Sequence, residues 1–130
     1  MKTLLSVLIS CACLVLMLSC SNSRKNYTSL TAQEFEQQVQ IAENQVLDVR
    51  TADEYARGHI ENALNIDVKM PDFAKHCAEK LQKGRPVCVY CRSGRRSKTA
   101  ADILADMGFE VLELDKGILS WKGKLSYGAE

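Results

Sequence analysis

Cys91 closes the apolar run Val87-Cys88-Val89-Tyr90, and eight polar or glycine residues follow it, beginning Arg92-Ser93-Gly94-Arg95-Arg96-Ser97. A run of that kind reads as a strand covered on both faces, and the residues from Ser97 onward read as a helix. A loop between them turns successive backbone amides toward its concave side, and the helix start adds a positive dipole end. Both favour an anion, so Cys91 is expected to be a nucleophile with a lowered pKa, largely thiolate near neutral pH. Arg92, Arg95 and Arg96 add positive charge for the thiolate and for an anionic substrate. Gly94 permits tight curvature, and Ser93 and Ser97 offer inward hydroxyl donors. The bland alternative is a small buried core cysteine beside a solvated turn. The polar run after Cys91 argues against it, because such a stretch makes an apolar surrounding a poor fit. The set calls for no metal and no cofactor.

The other cysteines divide by position. Cys88 and Cys91 form a Cys-x-x-Cys pair, but inside a strand three residues span roughly 10 Å, beyond the about 7 Å that a disulfide allows between alpha carbons. The odd offset also sends the two side chains to opposite faces. Cys88 is therefore read as core. Cys77 lies on an expected helix and is either core or a bystander thiol.

The elements that must position Cys91 follow from pattern and capping. Thr31-Ala-Gln-Glu34 is a capping box, and its helix is expected to run through Phe35, Val39 and Ile41 to about Glu43. Gln45 to Val49 is a short buried strand. Thr51-Ala-Asp-Glu54 repeats the box for a short helix ending at Gly58, a left-handed cap position. Ala63 to Ile66 is a second strand, and Pro71 to Leu81 is a helix with proline in its first turn. Ser97 to Met107 is helical, with Gly108 as its stop. Glu110 to Leu114 is the last strand, with a helical turn near Ile118 to Trp121. Strands alternating with short helices imply an α/β fold, a small mostly parallel sheet flanked by helices on both faces. In such sheets ligands bind beyond the carboxyl ends of the strands, which is where Cys91 falls.

The chain has 130 residues with 17 basic and 16 acidic side chains. That length is one domain, and the balanced charge argues against a nucleic-acid partner. The start has a separate character: one charge, Lys2, precedes an apolar run from Leu4 to Leu18. This is the anatomy of a secretory signal peptide, and the run is short for a membrane span of about 20 residues. Met17-Leu18-Ser19-Cys20 resembles the lipobox of bacterial lipoproteins, in which the cysteine is lipidated. The resemblance implies a signal peptide over 1–19, a lipidated Cys20 with a polar tether over 20–29, and a globular domain over 30–130. Acyl chains on Cys20 would hold the protein on a membrane of the bacterial cell envelope, facing the periplasm or exterior. Compartments beyond the inner membrane tend to oxidise thiols, which puts an exposed low-pKa thiolate at risk of sulfenic acid formation.

Five pieces in order resemble the rhodanese family of sulfurtransferases: Leu47-Asp-Val-Arg50, Glu54-Tyr55, Gly58-His-Ile60 with Ala63, Asn65 and Ile66, the loop Cys91 to Ser97, and Gly117-Ile-Leu-Ser-Trp121. The resemblance implies a single-domain rhodanese. In that family the loop cysteine takes a sulfane sulfur from an anionic donor such as thiosulfate. The persulfide is held by loop amides and passed to a thiophilic acceptor such as cyanide or a thiol, and a protein acceptor is possible. Asp48 and Arg50 match the Asp-x-Arg element that ends a strand on the active-site side. They are read as supports for the loop, with partner contact as the alternative role for Arg50. His59 matches a structural turn position. Glu61-Asn62 stands where the family often has Pro-Gly, which leaves that turn's geometry open.

Related phosphatases and arsenate reductases share the cysteine and its amide cradle. Tyrosine-type phosphatases need an arginine six residues after the nucleophile to clamp phosphate. Ser97 stands there instead, with arginines at plus one, plus four and plus five. A partner-binding module or a thiol and persulfide relay are the remaining alternatives. The module is disfavoured because Cys91 is present, and the relay shares the first half-reaction.

Overall fold

The computed structural model describes residues 25–129. The expected signal peptide and Cys20 lie outside the described residues. No helix among the described residues is long and apolar enough to cross a membrane.

Five parallel strands form the central sheet: β1 (Thr28–Leu30), β2 (Gln45–Asp48), β4 (Leu64–Asn65), β5 (Val87–Tyr90) and β6 (Val111–Leu114), in the spatial order β1-β6-β5-β2-β4. The helices are α1 (Ala32–Val39), α2 (Ala52–Ala56), α3 (Phe73–Lys80) and α4 (Arg95–Asp106). A short antiparallel pair, β3 (His59–Ile60) and β7 (Leu125–Ser126), lies apart from the main sheet. The expected α/β architecture is what the chain adopts.

The period-2 alternation of the strands divides the core into two layers. Leu47, Val49, Val87, Val89, Cys91 and Val111 share one face with Phe73 and Cys77 of α3 and with Ala100, Ala101 and Leu104 of α4. Val46, Cys88, Tyr90 and Leu114 share the other with Phe35 of α1 and Tyr55 of α2. Cys88 and Cys91 therefore lie on opposite faces, and Cys77 is a core residue with no exposure. Phe35 is fully buried and meets the rings of Tyr90 and Trp121 edge-on, at 6.3 and 6.2 Å. Burial of one such ring is worth about 1.5–3 kcal/mol, enough to make it an anchor for α1.

Both capping boxes form: Thr31 Oγ1 accepts from the Glu34 amide at 3.2 Å, and Thr51 Oγ1 accepts from the Glu54 amide at 3.3 Å. Several boundaries differ from the sequence expectation. Helix α1 stops at Val39, because Asn44 Nδ2 donates to the Gln38 carbonyl at 2.9 Å and the chain turns to feed β2. Ile41 is left 45% exposed outside the helix. Pro71 is not in the first turn of α3 but in the turn before it, closed by the Phe73 amide on the Met70 carbonyl at 3.1 Å. Proline suits the second position of such a turn, where its fixed φ is already right. Strand β1 begins at Thr28, so the boundary expected at residue 30 falls inside a strand that pairs with β6. Its composition is polar because it is a half-exposed sheet edge. The turn at Glu61-Asn62 is closed by the Ala63 amide on the Ile60 carbonyl at 3.0 Å, with Asn62 at φ +67. Asparagine tolerates that left-handed position, so it takes up the role glycine has elsewhere.

Candidate active site

Helix α4 starts at Arg95, two residues earlier than expected, and Gly94 is its N-cap at φ +99. The loop between β5 and α4 is therefore short, and it presses on the segment after β6. A Cβ on Gly94 would stand 1.9 Å from the Asp115 carbonyl oxygen, and one on Gly117 would stand 2.2 Å from that of Arg92. The Ile118 amide donates to the Cys91 carbonyl at 2.9 Å and the Leu119 amide to that of Arg92 at 3.2 Å. Two glycines thus let two backbone segments touch and fix the loop from behind.

The Gly94 amide donates to Cys91 Sγ at 3.1 Å, and Ser97 Oγ lies 3.4 Å from the same sulfur. Cys91 is only 1% exposed, so the freely exposed thiolate expected from the polar sequence is not what folds. Burial pushes the thiol up, while the Ser97 hydroxyl and the amides of Ser97, Gly94 and Ser93 pull it down further, so that it sits below the ordinary thiol value. The contrast with its neighbours is sharp: burial pushes Cys77 and Cys88 each up to about 12. All three are free thiols.

The arginines do not act as three equivalent charges. Arg92 and Arg95 are exposed, and neither pairs with a carboxylate among the described residues. Arg96 is bidentate on Glu54, with Nη1 to Oε1 at 2.7 Å and Nη2 to Oε2 at 2.9 Å. Its charge still interacts with the Cys91 sulfur, but hydrogen bonds dominate the pull on the thiol. Ser93 is likewise exposed, and its amide rather than its hydroxyl acts on the sulfur.

Asp48 and Arg50 form a buried pair, with Arg50 Nη2 at 2.6 Å from Asp48 Oδ2 and Nε at 3.0 Å from Oδ1. The same Nη2 donates to the Gly58 carbonyl at 2.8 Å, and the guanidinium lies 5.7 Å from the centre of the Tyr90 ring. The pair therefore joins the end of β2 to the chain entering β3. Arg50 also lines an open recess of about 470 Å³ with Glu54, Arg57, Arg92, Ile118 and Leu119, at the carboxyl end of the sheet. His59 is buried in β3, stacked on Tyr55 at 3.6 Å with Nδ1 at 2.9 Å from the Tyr55 carbonyl, as a structural residue would be.

Three residues of this region were not singled out as site residues from sequence: Glu54 as the partner of Arg96, Lys98, and Glu113. Glu113 is fully buried and accepts from Ser97 Oγ at 2.6 Å. The available signal was a carboxylate standing inside an otherwise apolar strand, Val111-Leu-Glu-Leu114.

A family model for the rhodanese-like domain matches residues 31–124. The chain is 39% identical over 79 residues to the thiosulfate sulfurtransferase GlpE of Coxiella burnetii, which covers 59% of this chain and 70% of that protein. It is 32% identical over 124 residues to the tRNA uridine(34) hydroxylase of Chlamydia trachomatis serovar L2, over 83% of this chain. It spans only 38% of that hydroxylase's length. Among solved structures, the rhodanese-like domain of the Anabaena sp. Alr3790 protein matches with a TM-score of 0.68 at 26% identity, over 76% of this chain and 78% of that one.

Proposed function

The chain belongs to the family of rhodanese-like domains, and from that premise we propose that it is a sulfurtransferase carrying a sulfane sulfur on Cys91. The observation that carries the reading is the sulfur itself, which accepts from the Gly94 amide at 3.1 Å and is drawn below the ordinary thiol value in spite of burial. The Cys91 thiolate attacks the outer sulfur of a donor such as thiosulfate. The donor's S–S bond breaks and sulfite leaves with the electron pair. The outer sulfur of the persulfide then carries the negative charge, and the amides of the loop are suited to hold it. Attack on that sulfur by cyanide releases thiocyanate and returns the thiolate, and a thiol or a protein thiol can serve as acceptor in the same way. Arg92 and Arg95, free of carboxylate partners among the described residues, attract the anionic donor. Arg96 ties the loop to α2 through Glu54, and Asp48 with Arg50 joins the end of β2 to the chain entering β3 beside it.

Intact-mass measurement after incubation with thiosulfate tests this. The wild-type chain should gain one sulfur that cyanide removes, and Cys91→Ala should gain none. If the wild type gains nothing from any sulfane donor but hydrolyses an aryl phosphate, the reading is wrong.

The same proposal places the protein at the bacterial cell envelope, anchored through lipid on Cys20 and facing the periplasm or exterior. Its support is the Met17 to Cys20 pattern after an apolar run. Cys20→Ser should move the chain out of the membrane fraction, and identical fractionation of the two would remove the anchor.

A further inference from the structure

Glu113 is a buried carboxylate that the sulfur-transfer scheme leaves unused. Alternation along β6 puts it on the same face as Val111, toward α4, and it has no exposed surface. Both of its oxygens are held: Oε2 accepts from Ser29 Oγ at 2.7 Å, while Oε1 accepts from Ser97 Oγ at 2.6 Å and meets the Lys98 ammonium at 3.3 Å. Lys98 in turn reaches Asp115 Oδ1 at 2.9 Å and the Gly94 carbonyl at 3.2 Å.

A serine hydroxyl has one proton to give. Ser97 Oγ has two neighbours that could take it, Glu113 Oε1 at 2.6 Å and Cys91 Sγ at 3.4 Å. At these distances the carboxylate takes it, because a short hydrogen bond to a charged oxygen is the stronger. Ser97 then turns a lone pair toward the sulfur, which suits a thiol that donates its S–H. A sulfur anion needs the opposite orientation.

We infer that Glu113 is a positioning residue that sets which way the Ser97 hydroxyl faces, and so whether Ser97 accepts a hydrogen bond from the Cys91 thiol or gives one to its anion. When the thiol proton leaves to solvent, the Ser97 O–H rotates from Glu113 to the sulfur, and Glu113 Oε1 stays on Lys98. No proton passes between Glu113 and Cys91. Lys98 weakens the carboxylate's hold on Ser97 and so eases the switch. The other charged or titratable groups about this pair are Asp115, Asp102 and the neutral Tyr27 phenol on the Glu113 side and Arg96 with Asp67 beyond it on the Cys91 side. The importance of the switch for turnover rests on the sulfur-transfer reading, but its existence does not.

The test is the pH profile of Cys91 alkylation by iodoacetamide, without any sulfur donor, followed by peptide mass mapping. Glu113→Gln keeps the shape and can donate an amide hydrogen to Ser97 Oγ, freeing the hydroxyl for the sulfur. Its midpoint should fall by about half a pH unit or more. In a Ser97→Ala background that difference should shrink to the smaller part that the lost charge alone causes. Lys98→Met, at a partly exposed site, should raise the midpoint, by more with Ser97 present than in the Ser97→Ala background, and it decides the matter if Glu113→Gln does not fold by circular dichroism. Midpoints that do not move, that move the other way, or that move equally without Ser97 would overturn the inference. A chain that shows the Ser97-dependent shift yet takes no sulfur would overturn the sulfurtransferase reading alone.

Discussion

Arg96, in the first turn of α4, grips Glu54, at the start of α2, with both arms of its guanidinium, at 2.7 and 2.9 Å. The two residues are 42 positions apart, and their bond ties the loop that carries Cys91 to a helix on the other face of the sheet. The Arg96 fork is the main reason the Glu54 carboxyl is held down to about 2 from its ordinary 4.5.

That shift sets a pH window. The folded value lies below the unfolded one, so the stabilisation is complete above about 4.5 and is lost as pH falls toward about 2. With solvent screening at this partly open site, the bond is worth about 1–2 kcal/mol. Glu54→Gln keeps the capping function that glutamine also serves, and removes the charge. Urea denaturation should show the variant less stable by that amount at pH 7, with the gap to wild type closing between pH 4.5 and 2. A gap of constant size across that range would show that the charge of Glu54 contributes nothing.

Gly94→Ala should be costly for two separable reasons. The residue has φ +99, and its added Cβ would fall 1.9 Å from the Asp115 carbonyl oxygen. A side chain there must push the loop away from the segment after β6, at a cost of about 1–3 kcal/mol. The same movement withdraws an amide that donates to the Cys91 sulfur at 3.1 Å. The rate of thiocyanate formation from thiosulfate and cyanide should fall at least about tenfold, since about 1.4 kcal/mol of lost stabilisation is a factor of ten. Unchanged turnover in a folded variant would mean that this amide does not hold the reacting sulfur.

Much of this arrangement was legible because it is local. The two capping boxes, the strand from Val87 to Tyr90 and the glycine-bearing loop after Cys91 each depend on residues within a few positions of one another. What was missed is tertiary. Strand β1 is polar because its edge faces solvent, so no apolar pattern marked it, and only pairing with β6 reveals it. The three arginines read as a cluster of free charge until the fold supplied Glu54 to one of them. Ser97 was expected to donate toward the sulfur, and nothing near it in the chain showed that Glu113 competes for its proton. The same polar run implied an exposed Cys91, whereas polar backbone around a buried sulfur is what the loop builds.

Native alkylation should separate the three thiols of the domain. Cys77 and Cys88 are pushed up to about 12 by burial and have no exposure, while Cys91 lies below the ordinary value. Between pH 7 and 8, iodoacetamide should label Cys91 and leave the other two untouched until denaturant is added. Peptide mapping reads this directly, and modification of Cys88 in the folded chain at a rate near that of Cys91 would contradict the assignment of separate roles.

Asp48 and Arg50 offer the clearest test of a supporting role as against a chemical one. Asp48 has no exposure and Arg50 is 5% exposed, so removing the carboxylate leaves a guanidinium buried beside Tyr90 with the Gly58 carbonyl as its one strong partner among the described residues. Breaking a buried pair from one side costs about 3–5 kcal/mol, because the remaining charge keeps its desolvation penalty. Asp48→Ala should therefore lower the urea midpoint steeply. Replacing both residues together, as Asp48→Ala with Arg50→Met, removes the stranded charge and should recover part of that loss. If the pair acts by holding β2 against β3, sulfur transfer by the double variant should follow its recovered stability. If stability returns while the rate with thiosulfate stays at least about tenfold down, a binding loss of about 1.4 kcal/mol, Arg50 touches the donor through the recess it lines.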